Sequence, residues 1–108
     1  MKRYEGKRRW SICTVTVDGQ PLNPRLDLKN HSPDGFEWGY GGSGAAQLSL
    51  AILADHLPDT QQALDFYHRF KWAAIAQFPR RKWSLTSNEI DQWLHIMRER
   101  EALPGGGL

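Results

Sequence analysis

A glycine-rich turn near the middle of the chain has residue types that bind anions. The run GYGGSG follows an aromatic segment and precedes an apolar, helix-forming segment that begins at Ala45. Glycines let backbone N–H groups approach a ligand closely, and the positive end of a helix dipole attracts negative charge. The pattern therefore predicts an anion or nucleotide-phosphate site with an aromatic ring beside it. Its candidate residues are Gly41, Gly42, Ser43, Gly44, Trp38 and Tyr40.

The same turn also has a structural interpretation. It lacks the lysine of the GxxxxGK[ST] phosphate loop, and its glycines do not have the GxGxxG spacing of dinucleotide-binding proteins. It can instead be a tight strand-to-helix corner in which glycines relieve crowding beside Trp38. The sequence leaves both interpretations open.

Two basic runs, each next to a tryptophan, form a second candidate site. One run precedes Trp10 and the other precedes Trp83. Cations beside an aromatic side chain suit phosphate contact with base stacking, and they equally suit an acidic protein surface. The alternative is a solvated basic surface whose tryptophans lie in the core, and the net charge of +2 is too small to favour nucleic acid strongly. The predicted partner-binding residues are Arg8, Arg9, Arg80, Arg81 and Lys82.

A polar loop over residues 27–37 carries the residue types of acid–base chemistry but no known catalytic spacing. An enzyme would have to combine His31 with Asp34 or Glu37, and this is the weakest of the functional hypotheses. Cys13 is the single cysteine, so no disulfide and no cysteine cluster for zinc is expected. The sequence thus predicts no catalytic residue, no metal site and no cofactor.

Length and composition predict one small domain. The chain has 108 residues, and its 5 Trp, 4 Phe and 3 Tyr provide enough apolar area for a core. We expect a single domain over residues 1–103 and a flexible tail over residues 104–108. No apolar run is long enough to span a membrane and no signal peptide is evident, which predicts a cytoplasmic protein. We expect a monomer or a homodimer.

Strand patterns lie in the first half of the chain. Residues 10–17 are rich in β-branched types and form the clearest strand, and Asp18 with Gly19 then indicates a hairpin turn. Residues 20–22 are a plausible edge partner, or else residues 3–6 pair with this strand. Residues 36–40 are predicted to form a short third strand.

Helix patterns follow the glycine-rich turn. They predict helices over about residues 45–57, 60–78 and 87–102, with Asp59 and Thr86 as N-caps and residues 80–85 as a short connector. The first helix is apolar on most sides and must therefore be covered on several faces. The predicted fold class is α+β, with a small two- or three-stranded antiparallel sheet packed with three helices.

The segment GFEWGYGGSGAAQLSLAIL, with NHSPDG upstream and FYHRFKW downstream, resembles a family of short bacterial proteins of unknown function. The resemblance covers most of residues 3–95, and such proteins are often carried on plasmids, integrative elements and phages. In them a proline usually follows the last glycine of the turn, where this chain has Ala45. The resemblance implies a small accessory protein of a mobile element, and such proteins commonly act by binding, for example as inhibitors of host defence complexes such as CRISPR.

These observations favour a non-enzymatic binding protein, whose expected partner is a larger protein or a ribonucleoprotein. The first alternative is a binder of a small ligand or nucleotide that uses the turn at residues 41–44. The second alternative is a nucleic-acid-binding accessory protein that uses the basic runs.

Overall fold

The computed structural model describes residues 1–102. In chain order the elements are β1 (Arg3–Arg9), β2 (Ile12–Val17), β3 (Gln20–Pro21), α1 (Ser43–His56), α2 (Thr60–Ala73), a 3₁₀ turn (Ile75–Gln77), β4 (Lys82–Thr86) and α3 (Ser87–Ala102). The predicted α+β class is confirmed, because an antiparallel sheet packs with three helices. The tail predicted over residues 104–108 lies outside the described residues.

The sheet has four strands in the order β3-β2-β1-β4, and all neighbours are antiparallel. Asp18 and Gly19 form the predicted hairpin turn between β2 and β3, both with positive φ, at 49° and 83°. The sequence left open whether residues 3–6 or residues 20–22 pair with the central strand. Both do so, on opposite edges of β2.

Two local assignments are corrected by the structure. Residues 80–85 are not a connector, because most of them belong to β4, which pairs with β1. Residues 36–40 are not a strand: Gly39 has φ 85° and its N–H donates to the carbonyl of Ile75. The aromatic residues of that segment therefore anchor an irregular loop, and the sheet has one strand more than the maximum expected.

Alternation separates an inner from an outer face of the sheet. Tyr4, Val15, Trp83 and Leu85 are buried in the same core as the helices. The outer face is exposed and mostly polar; it carries Lys7, Arg9, Thr14 and Lys82, and also the exposed Ile12 opposite Arg9. A sheet with one solvated face is typical of antiparallel strands.

The first helix is the centre of the fold. Every residue of α1 from Gly44 to Ala54 is buried, as its nearly uniform apolar pattern predicts. At its C-terminal end, the hydroxyl of Tyr4 donates to Asp55 at 2.6 Å and ties β1 to α1. Burial, followed by this hydrogen bond, raises the pKa of Tyr4 far above its usual range, so the hydroxyl remains a donor.

A buried glutamine in α1 positions the long loop before it. The Gln47 side-chain carbonyl accepts from the backbone N–H groups of His31 at 2.8 Å and Ser32 at 3.2 Å. Its amide donates to the carbonyls of Pro24 at 2.6 Å and Lys29 at 3.0 Å. All four bonds are to backbone groups of the loop. Gln47 therefore satisfies N–H and C=O groups that have no partner in a helix or a sheet.

The other helices begin as predicted but one is shorter. Asp59 accepts from the N–H of Gln61, and Thr86 and Glu89 bond to each other's backbone N–H groups as a capping box. The helix predicted over residues 60–78 ends at Ala73, and a 3₁₀ turn follows it. Ala74 leaves the helical region at φ −123°, which turns the chain toward β4.

The absence of a side chain at Gly6 allows Trp83 to lie flat across β1. A Cβ built at Gly6 would be 2.2 Å from Trp83 Nε1 and 2.3 Å from Cε2. Trp83 also stacks on Phe78 at 4.5 Å and meets the edge of Trp38 at 5.7 Å between ring centroids. The indole is therefore held on several sides and cannot move away from β1 easily.

We predict that Gly6→Ala lowers the free energy of unfolding by ~1–3 kcal/mol, the usual cost of overpacking a core. Urea unfolding measures this loss. Lys7→Ala is the control, because Lys7 is the next residue of β1 and points to solvent. Gly6→Ala should cost less in a Trp83→Leu background, where no indole opposes the new Cβ, than it costs in the wild type. Equal unfolding midpoints for wild type and Gly6→Ala would contradict the prediction.

Candidate functional site

The pairing of β1 with β4 brings the two basic runs together. Lys7 lies directly opposite Lys82 in the register, and the N–H of Arg8 donates to the carbonyl of Arg81 at 2.8 Å. The runs are far apart in sequence and only this strand pair makes them one surface. We define the basic end as Lys7, Arg9, Trp10, Arg81 and Lys82.

The basic end surrounds a shallow depression of about 450 Å³ whose lining residues are all cationic: Lys7, Arg8, Arg9, Arg81 and Lys82. Among the described residues, Lys7, Arg9, Arg81 and Lys82 have no ion-pair partner, and all four are exposed. Like charges at directly opposed strand positions destabilise a sheet, so the pair of Lys7 and Lys82 has a cost that a bound anion would relieve.

Arg8 differs from the rest of its run, because its guanidinium turns inward. It donates to both carboxylate oxygens of Glu37, at 2.7 and 3.1 Å, and its Nε donates to the carbonyl of Arg80 at 3.0 Å. Its carbon Cζ also lies 5.1 Å from the ring centroid of Trp38. Arg8 was predicted to contact a partner. In the structure its guanidinium joins β1 to the loop before α1.

The ion pair shifts the pKa values around it. The hydrogen bond from Arg8 lowers the pKa of Glu37 despite partial burial. Burial raises the pKa of the neighbouring Cys13 thiol, and the charge of Glu37 acts in the same direction. Cys13 therefore stays protonated and is a poor nucleophile.

Trp10 stands at the tip of the hairpin between β1 and β2. It is 88% exposed, whereas Trp83, the tryptophan beside the other basic run, is 7% exposed and lies in the core. Trp10 also has φ 61°, a conformation that glycine usually provides at this position of a two-residue hairpin turn. A large aromatic ring is thus held in solvent, in a strained backbone, beside unpaired cations.

The glycine-rich turn is packed against side chains of the protein itself. A Cβ at Gly41 would be 2.2 Å from the ring of Trp72, and a Cβ at Gly44 would be 2.7 Å from the Cβ of Glu37. Gly42 is the N-cap of α1, with no side-chain cap. These contacts crowd Gly41 and Gly44, but the crowding side chains are Trp72 and Glu37 rather than Trp38, and no strand leads directly into the turn.

The aromatic residues predicted to assist the turn lie in different environments. Trp38 is fully buried, and its indole N–H donates to the carbonyl of Arg80 at 2.9 Å. Tyr40 is 47% exposed, and the guanidinium of Arg80 lies 5.9 Å from its ring centroid. Ser43 is exposed in the first turn of α1. Trp38 is buried and therefore cannot stack on a ligand. Phosphate binding by the backbone of this turn stays a prediction.

The candidate acid–base residues of the polar loop do not form one cluster. His31 Nε2 bonds to the hydroxyl of Tyr67 at 2.8 Å, while Glu37 pairs with Arg8. Asp34 and Glu37 line a common depression of about 350 Å³ that does not include His31. Burial, and then the charge of His68, lowers the pKa of His31, so its imidazole is neutral near pH 7.

The predicted partner-binding residues did not include Lys7 or Trp10, although both lie in or beside the first basic run. Lys7 alternates with Arg9 along the polar side of β1, and this period of two was the signal that could have selected it. Trp10 could not be separated from Trp83 because both follow cationic residues. Only the burial of one and exposure of the other distinguishes them.

Residues 4–96 match the model of a protein family. The chain belongs to the DUF6166 family of unknown function. The match includes every residue of the basic end, so this surface lies within the DUF6166 domain. No curated protein and no solved structure matches the chain. None of the helices in residues 1–102 of this DUF6166 protein is long and apolar enough to cross a membrane.

We predict that the ion pair of Arg8 and Glu37 makes stability depend on pH. Because the pKa of Glu37 is lowered in the fold, the pair stabilises the protein above the ordinary glutamate pKa of about 4.3, and this contribution is lost as the pH falls through the lower folded pKa. Glu37→Gln should lower the free energy of unfolding at about pH 7 by ~1–3 kcal/mol, and the difference from wild type should shrink toward about pH 3.

Urea unfolding at a series of pH values tests this prediction. Asp34→Asn removes a carboxylate from the same loop, and we expect a much smaller effect because Asp34 is exposed. A difference between Glu37→Gln and wild type that stays constant from neutral to acidic pH would contradict the prediction.

Proposed function

We propose that this DUF6166 protein is a non-enzymatic binding protein that holds nucleic acid through its basic end. The observation that carries the proposal is the pairing of β1 with β4, which places unpaired cations from both basic runs beside an exposed tryptophan. Proteins that bind single strands combine a cationic surface for the backbone with aromatic rings on which bases stack. The basic end has both components within one surface.

The charges of the basic end favour a polyanion over a single small anion. Lys7 and Lys82 are adjacent across the strand pair, while Arg9 and Arg81 extend the positive surface toward the hairpin. No acidic residue lines this depression among the described residues. Several cations in a row fit the repeated phosphates of a backbone, and binding then gains from the release of condensed counterions.

The conformation of Trp10 supports a role in binding. A non-glycine residue at positive φ carries strain, and such residues concentrate at functional sites. The hairpin holds the indole away from the core, where it contributes no packing. Glycine would adopt this positive φ at lower cost. A base that stacks on the indole would explain why a tryptophan is present instead.

We further propose that the bound nucleic acid belongs to a larger ribonucleoprotein of the host. The resemblance to small proteins of mobile elements supports this part, because such proteins commonly act by binding, and inhibition of host defence systems such as CRISPR complexes is one example. A protein that covers exposed RNA or DNA of such a complex would block it without any chemistry of its own. The competing partner is an acidic protein surface, which the basic end would also attract.

Fluorescence anisotropy with labelled single strands of RNA and DNA of about 20 nucleotides tests the proposal, with a duplex of equal length for comparison. We expect binding that weakens as salt rises from about 50 to about 200 mM. The double variant Lys7→Gln/Lys82→Gln should bind more weakly and should reduce the slope of log K against log salt by about 0.7 for each cation removed. The control Lys29→Gln/Arg98→Gln removes the same charge elsewhere and should bind as wild type does. Absence of binding to every strand at low salt would overturn the proposal, as would equal losses in the two double variants.

We predict that Trp10→Gly separates stability from binding. Glycine adopts positive φ without strain, so the free energy of unfolding should stay unchanged or rise by up to ~1 kcal/mol. Loss of the ring should weaken binding to single strands by the ~1–3 kcal/mol of one stacked base. Trp10→Phe keeps a ring and should retain most of the affinity. Full affinity in Trp10→Gly would exclude a contribution from stacking.

A further inference from the structure

The outer side of β4 is a free sheet edge, which we call the β4 edge. β4 is the last strand in the order β3-β2-β1-β4, and within residues 1–102 only β1 pairs with it. The opposite edge is β3, which has two residues, one of them Pro21. A very short strand with a proline is protected against pairing with another chain. β4 has five residues and no proline, so the two edges of the sheet differ in this protection.

The hydrogen-bond pattern identifies the backbone groups that β4 leaves free. The N–H of Arg8 donates to the carbonyl of Arg81 at 2.8 Å, in the same register as the rest of the β1–β4 pair. Backbone groups alternate in direction along an antiparallel strand, so the odd-numbered residues of β4 face β1 and the even-numbered residues face outward. Within residues 1–102 the outward N–H and C=O groups of Lys82 and Ser84 have no hydrogen-bond partner, and both residues are exposed.

We propose that the β4 edge pairs with the β4 edge of a second copy of this chain, in antiparallel orientation, with a twofold axis at Trp83. In this register Lys82 of each copy lies opposite Ser84 of the other, so their four free backbone groups bond to one another. A register centred on Ser84 would instead use Thr86, whose outward N–H already donates to Glu89 at 2.9 Å. The edge is therefore self-complementary in one register.

The side chains of β4 are compatible with this register. On the inner face Trp83 lies opposite Trp83 of the second copy, at a non-hydrogen-bonded position where the two backbones are close. The two indoles do not collide, because each ring turns away from the β4 edge and lies across Gly6 of its own β1. On the outer face Lys82 meets Ser84 rather than another lysine. The lysine that can protect an edge strand therefore does not oppose this pairing.

The dimer would join the two basic ends into one surface, a consequence that rests on the proposed function, whereas the pairing itself does not. The two Lys82 residues become diagonal neighbours across the axis, with Cα atoms about 7–8 Å apart. Because the axis is perpendicular to the sheet, both basic ends lie on the same face, with Trp10 at each far end. A nucleic acid strand that contacts both basic ends would favour the dimer over the monomer.

Sedimentation velocity of the whole chain, without nucleic acid and from about 5 to about 500 µM, tests the pairing. We expect a reversible equilibrium of monomer and dimer, because a single strand pair is a small interface. A chain that stays monomeric over this range would overturn the proposal and would leave an extended strand of another protein as the occupant of the β4 edge.

Amide hydrogen exchange at low and high protein concentration locates the interface. Exchange at Lys82 and Ser84 should slow as the dimer forms, because their N–H groups gain partners. Exchange at Trp83 and Leu85 should be slow at both concentrations, since these residues already face β1. A dimer in which Lys82 and Ser84 exchange as fast as in the monomer would overturn the proposal.

Two opposite charges at Ser84 test the register. Ser84→Lys places a lysine opposite Lys82 of the other copy at two symmetric positions, and Ser84→Glu places a carboxylate there. The dissociation constants of the two variants should differ by at least about fivefold, with the tighter dimer for Ser84→Glu. Thr14→Lys and Thr14→Glu make the same changes on the same sheet face, away from the β4 edge, and should dimerise as wild type does. Equal dissociation constants for the two Ser84 variants would contradict this register.

Both Ser84 variants should fold. Within one copy Ser84 lies opposite Glu5 and accepts a hydrogen bond from Arg3 at 3.0 Å, so either new charge has one neighbour of opposite sign. Thermal unfolding verifies this. A dimer that binds no nucleic acid would contradict the proposed function alone. A single strand of about 20 nucleotides that carries one copy of a dimerising chain would contradict only the joined basic surface.

Discussion

The antiparallel pairing of β1 with β4 is the constraint on which the rest of the structure depends. It joins the first strand of the chain to the last, so α1 and α2 must be accommodated in the chain between them, and α3 follows directly after β4. The pairing requires Gly6, because any larger residue there would collide with Trp83. The Trp83 ring in turn stacks on Phe78 and contacts Trp38 edge to face, and Trp38 lies in the loop that leads into α1. A single close approach between a strand and an indole thus connects the sheet to the central helix.

The same pairing brings like charges close together, and only some of them are neutralised within the protein. It places two cationic segments side by side, and each strand contributes a lysine at the same register position. Arg8 is neutralised by Glu37, and that pair also fastens the inner side of the sheet to the loop. On the outer side, Lys7 and Lys82 have no ion-pair partner within residues 1–102, although Glu5 lies on the same face of β1. Opposed like charges of this kind cost stability, and this cost is one of the observations on which our proposal of an anionic partner rests.

The basic end and the helical layer have different relations to the core. The basic end lies on the solvated face of the sheet, where side chains can be changed with little effect on packing. On the helical layer, by contrast, the exposed Trp72 also takes part in packing, since its ring rests against Gly41.

The sequence by itself determined the features that depend on near neighbours in the chain. The α+β class, the turn at Asp18 and Gly19, the caps at Asp59 and Thr86 and the burial of α1 all follow from local spacing and residue type, and all agree with the structure. Tertiary structure alone decided that residues 82–86 form a strand and that residues 36–40 do not, because a short strand is stabilised mainly by a partner distant in sequence. It also decided which tryptophan beside a basic run is exposed and which arginine is paired. Those properties depend on what packs against a side chain, and no local pattern contains that information.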